Sequence, residues 1–568
     1  MFHSRIALLL TAVCVLHADS SATPFLQQYA SARYVRDILP DGDSLWLATS
    51  NGLYHAPIDG GDTVHYSLPA DFGDIDLRAL VRASDGQLWI GTTGGYVVSM
   101  DPATQRFSPH NALGYAGWDI ACMSAYKGYL LIGSGFGMSV FSRSRGVVVA
   151  NAKKFGDREN ARVSAIETYG DTIAVLLDNA VAWMAPDDIM EKNLNDPSVW
   201  SIIDTQGVQG VLVDRNGFHL YPHRVQRSGG SRFDIAYSGG TTVILRNGLQ
   251  LATLGGFVNR VVEHKDAIYL GMEGNSLLRL FPDGSNEHIV LNSLPRTDTR
   301  DFMIDSRGVL WCVHDYCVAG VSRRIDGVWS SLKHSSPDDP GFGNVSTGRD
   351  ESPNRILSAT NGDVWVATAG VGVKWYDRSS GMWSHFEDSG LAAATGMTHT
   401  PSPITRLGPD PVAHAWTFVS ALCEDSTGAI WMANERAYNG KVMHVFDPER
   451  RRWRSFSIEE HGLPFGYVRG LEASFGGSGQ SHYVYAGCAE TDGGAGEGLV
   501  QFRFSDDPVD GHVAIAREPV TSRAAINDLA IVRDSLVYLA TNSGLLRLHN
   551  HNVNTITAIE LIRPTSPI

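Results

Sequence analysis

The chain is punctuated by short apolar runs, each held between a polar turn and small residues. The clearest is Leu88-Trp89-Ile90, preceded by Asp85-Gly86 and followed by Gly91-Thr92 and Gly94-Gly95. Glycine tolerates positive φ and aspartate bonds its own backbone, so Asp-Gly marks a tight turn. An apolar run fenced by two such turns predicts a buried strand. The pattern returns around Asp305 to Trp311, Asn361 to Thr368 and Asp425 to Trp431. Looser copies contain Trp46, Leu131, Tyr269, Tyr485 and Tyr538.

Taken as a ruler, the tryptophan position falls at Trp46, Trp89, Leu131, Ala174, His219, Tyr269, Trp311, Trp365, Trp431, Tyr485 and Tyr538. The steps are 43, 42, 43, 45, 50, 42, 54, 66, 54 and 53 residues. Strand-type units at this period predict a propeller-like array, because one unit cannot bury both faces of its sheet without neighbours. Each repeat has the same grammar. An apolar first strand such as Val419 to Leu422 precedes the turn and the tryptophan strand. A third strand ends in Asp-Pro or Asp-Arg, as at Asp101, Asp377 and Asp447, and a fourth carries an aromatic such as Phe107, Trp200, Trp329, Trp383 or Trp453. Four hairpin-linked strands make one antiparallel blade. No sustained helical period follows residue 22.

The fold class is therefore all-β, a β-propeller of about eleven four-stranded blades. Ordinary rings hold roughly 4–8 blades. Two consecutive propellers are expected, residues 23–297 with six compact repeats and 298–568 with five longer ones; one large ring is the rival. The longest insertion, Gly396 to Pro411, holds Pro401, Pro403, Pro409 and Pro411, with His399 inside it and His414 beyond. It reads as a functional or a disordered loop.

Gly462-Leu463-Pro464 followed by Tyr467-Val468-Arg469-Gly470-Leu471 closes one repeat and opens the next. Asn292-Ser293-Leu294-Pro295 before Thr299-Arg300-Asp301-Phe302, and Asp388-Ser389-Gly390-Leu391, are further copies. Together with the D-x-x-G-x-L-W-x-G-T strand, this resembles the two-component regulator propeller repeat. That family builds the extracytoplasmic sensor regions of many hybrid histidine kinases. The resemblance covers nearly all of the chain after residue 22, more weakly over 150–260 and 480–535. It implies a sensor or binding role. The chain departs from the family by ending at Ile568 soon after its last repeat, with no membrane span, kinase or immunoglobulin-like region. Signalling by this polypeptide itself is thus not expected.

Composition sharpens this picture. Arg5, the apolar run Ile6 to Leu16 and the small residues Ser20-Ser21-Ala22 form a secretory signal, residues 1–22, with cleavage expected after Ala22. The run is too short for a membrane anchor, so a periplasmic or secreted protein with no membrane insertion after cleavage is expected. The net charge of -15 argues against nucleic acid as a partner. Five cysteines follow the signal, too few for a disulfide scaffold. Cys312 and Cys317 flank a tight hairpin, where a cross-strand disulfide and two buried thiols both fit.

No catalytic set stands out, and no metal or cofactor is expected. There is no G-x-S-x-G elbow; Gly476-Gly477-Ser478-Gly479-Gln480 fails at its last position. Polar residues on the loops after the tryptophan strands, including His314, Asp315, Tyr316, Glu435, Arg436, Tyr438, Glu490 and Asp492, gather on one face of a propeller. Asp492-Gly493-Gly494 lacks calcium-ligand spacing. Pro222 between His219 and His223 argues against a helical zinc pair. Trp118 and Trp416 lie just before first strands, where an aromatic stacks on a ligand or covers core.

The first strands share another feature. Arg36, Arg78, Arg260, Arg300, Arg355 and Arg469 each stand two residues before an apolar residue, at positions held elsewhere by Ser164, Ser420 and Asn527. They crowd a central channel, either paired with aspartates such as Asp37 and Asp301 or left to bind an anion. The reading is a module that binds a small molecule, an acidic glycan or a protein partner, through Arg36, Arg78, Arg300, Arg355, Arg469, Trp118 and Trp416. The alternative is a polysaccharide-active lyase or glycoside hydrolase on a propeller scaffold, since fold does not fix function.

Overall fold

The computed structural model describes residues 29–562 apart from 60, 67–73, 111–118, 186–188, 296–297, 315–319, 333–351, 391–399, 412, 415, 464–467, 475–480, 489–497, 519–524, 533–535, 542–543 and 550–558. The signal segment, Trp118, Cys317, and His399 of the insertion lie outside the described residues.

The described chain is nearly all strand, with one short α-helix, Ile458–His461, closed by Gly462 at φ 63°. No helix among the described residues is long and apolar enough to cross a membrane. Two compact units are present, Pro24–Pro295 and Arg296–Ile568. Both are built from antiparallel sheets whose strands follow chain order.

The first unit holds blades 1 (35–66), 2 (77–110), 3 (120–152), 4 (165–204), 5 (210–221), 6 (224–255) and 7 (258–289). The first strands of successive blades lie side by side, and that of blade 7 returns to that of blade 1. Seven blades therefore form this ring, where spacing predicts six. Blade 5 is cut to two strands, Gly210–Asp214 and Gly217–Tyr221, and blade 6 is complete but has no motif tryptophan. Blade 6 falls wholly inside the 50-residue step from His219 to Tyr269, so the ruler passes over it.

The second unit holds blades 8 (299–332), 9 (353–386), 10 (417–457), 11 (468–518) and 12 (526–562). Blade 9's tryptophan strand, Val364–Gly370, also pairs at its end with the first strand of blade 10.

The motif has a physical reason at each position. Trp46, Trp89, Trp311, Trp365 and Trp431 are all buried. In blades 8 and 10 an aspartate six residues earlier holds the indole: Trp311 Nε1 donates to Asp305 at 3.2 Å, and Trp431 Nε1 to Asp425 at 2.6 Å. The same carboxylates accept turn amides, from Arg307 and Val309 and from Thr427 and Ala429. Blades 2 and 9 have Ala83 and Ala359 at that position, and the Trp89 and Trp365 indole nitrogens are buried without a partner. The small residue after the tryptophan makes room for the next blade. A Cβ on Gly91 would meet Ile120 at 2.8 Å, one on Gly133 would meet Val163 Cγ1, just before blade 4, at 2.6 Å, and one on Gly271 would meet the Val35 carbonyl at 2.8 Å.

A one-residue register shift, a β-bulge, recurs near the start of nine first strands, occupied by Arg36, Arg78, Ala121, Asn259, Arg300, Asn354, Ser420, Arg469 and Asn527. Bulges re-aim side chains and raise local twist. Arg260 and Arg355 are not bulge residues. They pair with Gly271 and Ala367, as Asp37 pairs with Ala48. The single phase read for six arginines is therefore two phases, and counting back from an apolar residue cannot see the extra residue.

Candidate functional site

The residue just after the bulge reaches toward the next blade. Asp37 accepts from its own neighbour Ile38 N at 2.9 Å and from Leu80 N of blade 2 at 2.8 Å. Asp301 does the same with Phe302 N and with Ile356 N of blade 9, both at 3.0 Å. In blade 6, Gln226 Oε1 accepts from Val261 N of blade 7 at 2.8 Å. These bonds clasp blade to blade and satisfy amides of the innermost strands.

In the first unit the arginines are mostly engaged. Arg36 makes a two-pronged pair with Asp76 at 2.8 and 2.9 Å. Arg260 lies 3.1 Å from Asp37. Arg78 donates to Thr93 Oγ1 at 3.3 Å; burial, then the neighbouring Arg36, pulls its pKa down. Arg224 was not legible as a functional residue. Its two Nη atoms donate to the carbonyls of Val258 at 2.9 Å and Asn259 at 2.6 Å, joining blade 6 to blade 7. Burial raises the carboxyls of Asp37 and Glu167, and Arg260 opposes it in both.

The second unit gathers the predicted residues more closely. Arg355 Nη2 donates to the carbonyl of Arg469 at 3.0 Å, which brings blades 9 and 11 together around blade 10. Glu435, on the loop after blade 10's tryptophan strand, is buried, and burial raises its pKa. The nearby Arg469, Ser420 and Arg436 oppose that shift. Arg436 holds a left-handed backbone at φ 48°, which is strained for a non-glycine residue.

The insertion forms one wall. Arg406 is buried, pairs with Asp388 at 2.7 Å, donates to the Pro409 carbonyl at 2.6 Å and stacks over Tyr438 with its Cζ 4.8 Å from the ring centre. Its backbone carbonyl accepts from Tyr438 N at 3.0 Å, and Leu407 N donates to the Trp416 carbonyl at 3.1 Å. Segment 404–408 thus lies between half-buried Trp416 and exposed Tyr438. Part of the long loop is built into the wall.

Deeper along the first strands, Asp301, Asp528 and Glu472 come near one another. Water reaches the Glu472 side chain, yet the blades enclose it. That enclosure pushes its carboxyl up to about 8, with Asp528 and Asp301 adding repulsion. Arg355 pulls down the otherwise raised carboxyls of Asp301 and Asp528.

Arg300 is exposed at the blade 8 bulge. Cys312 is a buried thiol, raised to about 12 by burial and then by Asp301. His219 Nε2 lies 3.0 Å from Asp214, and His223 Nε2 3.5 Å from Asp234. Among the described residues, no group of three or more His, Cys, Asp or Glu side chains is arranged to hold a metal ion.

No family model matches the chain, and no curated protein matches it in sequence. Solved structures do. PorZ, a surface component of the type-IX secretion system of Porphyromonas gingivalis, is similar over 94% of this chain and 82% of its own, at 13% identity and a TM-score of 0.63. The extracellular domain of BT3049 from B. thetaiotaomicron, described as a hybrid two component system, matches over 92% and 68%, at 14% identity and a TM-score of 0.30. The WD40 β-propeller domain of Doa1 matches over 55% and 100%, at 15% identity and a TM-score of 0.28. At such identities the likeness concerns the fold, and PorZ carries it.

Proposed function

We propose that this chain is an extracytoplasmic binding module of two propellers, whose second unit takes an anionic group at the mouth beside Glu435. The supporting observation is that Arg469 and Arg436 both oppose the raised carboxyl of Glu435, with Arg355 bonded to the Arg469 backbone beside them. A guanidinium fork suits carboxylate or sulfate. Tyr438 and Trp416 flank the mouth and offer faces on which a sugar ring stacks. An acidic or sulfated glycan fits this combination best, and an acidic loop of a partner protein presents the same groups.

The test is calorimetric titration of the full chain with acidic and with neutral oligosaccharides, at low and high salt. Binding of the acidic series should weaken as salt rises. It should also fall at least tenfold in Arg469→Gln with an unchanged melting temperature. Equal affinity for neutral and acidic ligands, or a loss of folding in place of binding, would reject the anion site.

A further inference from the structure

The first unit closes on itself, with blade 7 against blade 1. At the closure of the first ring, Arg260 of blade 7 lies 3.1 Å from Asp37 of blade 1, pairing opposite charges. Gly271 of blade 7 lets Val35 and Ile38 pack beneath it, and Ile38 is 1% exposed. Asn259 Nδ2 adds a bond to the Val35 carbonyl at 3.1 Å.

The corresponding residues of the second unit are Asp528 of blade 12 and Asp301 and Phe302 of blade 8, each placed by its register with the tryptophan strand. Two carboxylates come near one another where the first ring has an arginine and an aspartate; after burial, both raise the carboxyl of Glu472, while Arg355 opposes the shift in each of the pair. Among the described residues, Asp528 accepts from its own neighbour Leu529 N at 3.0 Å. The equivalent aspartates Asp37 and Asp301 each take a second amide from the following blade. Phe302 is 42% exposed, against 1%, 6% and 8% for its counterparts Ile38, Leu80 and Ile356. Ile304 is 67% exposed on the same face. Among the described residues, the first strands of blades 12 and 8 do not make the side-by-side approach seen between other neighbours.

The seam thus shows an apolar face, an aspartate that takes no second amide among the described residues, and two carboxylates that share the guanidinium of Arg355. We propose that it receives a β-sheet from a partner protein, with an arginine or lysine at the position that Arg260 holds in blade 7. The cation would lie between Asp528 and Asp301. A backbone amide of the incoming strand would clasp Asp528, and a glycine or alanine would lie over Phe302. The charge of the seam selects a basic partner. A second copy of this chain, at net charge -15, is repelled. The seam variants Asp528→Asn and Phe302→Ser leave Glu435, Arg436 and Arg469 unchanged, so the two proposals are tested apart.

A probe is available from the chain itself: a hairpin peptide of residues 258–272, cyclised through added terminal cysteines. It carries Arg260 and Gly271, the residues that cover Ile38 and meet Asp37 in the first ring. Fluorescence anisotropy should show saturable binding of this labelled peptide to the full-length protein, weakening with salt. Affinity should drop at least tenfold with Asp528→Asn, with Phe302→Ser, and when the peptide carries Arg260→Glu. Because Phe302 is exposed, Phe302→Ser should keep its melting temperature; if it does not, Ile304→Ser must show the loss instead. No binding, or unchanged affinity in these variants, overturns the proposal. So does a concentration-dependent dimer in sedimentation that Phe302→Ser abolishes, since the occupant is then a second copy.

Discussion

Replacing Trp431 by Phe tests the account of the repeat most directly, because Trp89→Phe serves as its internal control. Both indoles are buried, and both lose about the same ring area on becoming phenyl. Trp431 stacks on Phe456 at 5.6 Å and meets Phe502 at 5.0 Å; Trp89 meets Phe141 at 5.4 Å. They differ in the N–H. That of Trp431 donates to Asp425 at 2.6 Å, and that of Trp89 is buried without an acceptor. A hydrogen bond to a charged group contributes about 1.5–3 kcal/mol, and burying an unpaired donor costs roughly 1–3 kcal/mol. Asp425 keeps the amides of Thr427 and Ala429, so its loss is partial. We expect Trp431→Phe to cost about 1–2 kcal/mol more than Trp89→Phe, which removes an unpaired donor and offsets part of its packing loss. The assay is urea unfolding, with each unit followed through its own transition. Adding Asp425→Asn should cut the Trp431→Phe penalty, the signature of a coupled pair. Equal costs for the two single variants would refute the role given to the aspartate six residues before the tryptophan.

Gly271→Ala should destabilise the first unit by about 1–3 kcal/mol, the usual range for overpacking, because the new Cβ would lie 2.8 Å from the Val35 carbonyl; a neutral result in the same unfolding assay would mean the ring closure gives way easily. Glu472 has a folded-state pKa near 8 against an ordinary 4.5, so its contribution is full below about pH 4.5 and is lost as pH rises through 8. Glu472→Gln should therefore raise the melting temperature of the second unit at pH about 9 and change it little at about 4, and parallel melting curves across that range would show the carboxyl is not enclosed. Cys122, Cys312, Cys423 and Cys488 are free thiols, three of them buried, and burial raises the pKa of Cys122 and Cys312 to about 12 and that of Cys423 well above its ordinary value. A thiol-reactive dye should label them only in denaturant; rapid labelling of the native protein would contradict this packing.

The sequence announces its strands well because the turn chemistry and the buried tryptophan sit at fixed offsets, so Trp89, Trp311, Trp365 and Trp431 are found in the core. The clasp between Asp425 and Trp431 is visible too, once Asp at six residues before Trp is separated from the variant at four, as in Asp85 and Asn361. Blade 6 is not visible. It lacks a tryptophan, and blade 5 has lost its outer strands, so two irregularities cancel in the spacing. The arginines were legible as a group but not by direction, since a bulge moves Arg260 and Arg355 one place from Arg36 and flips the side they face. Arg224 escaped because it opens a blade the ruler skips. The approach of Glu435 to Arg469 joins residues of different blades, and only the ring brings them together.

The recurring bulge also has an evolutionary consequence. A bulge residue has no partner of its own across the ladder, so exchanging it leaves the register of every following residue untouched. Arginine, serine, asparagine and alanine all occupy that place in this one chain, at Arg469, Ser420, Asn527 and Ala121. The rim of each ring is thus a panel of interchangeable positions above a fixed core. Residues there can be exchanged one by one while the inter-blade clasps one place further along hold the blades together.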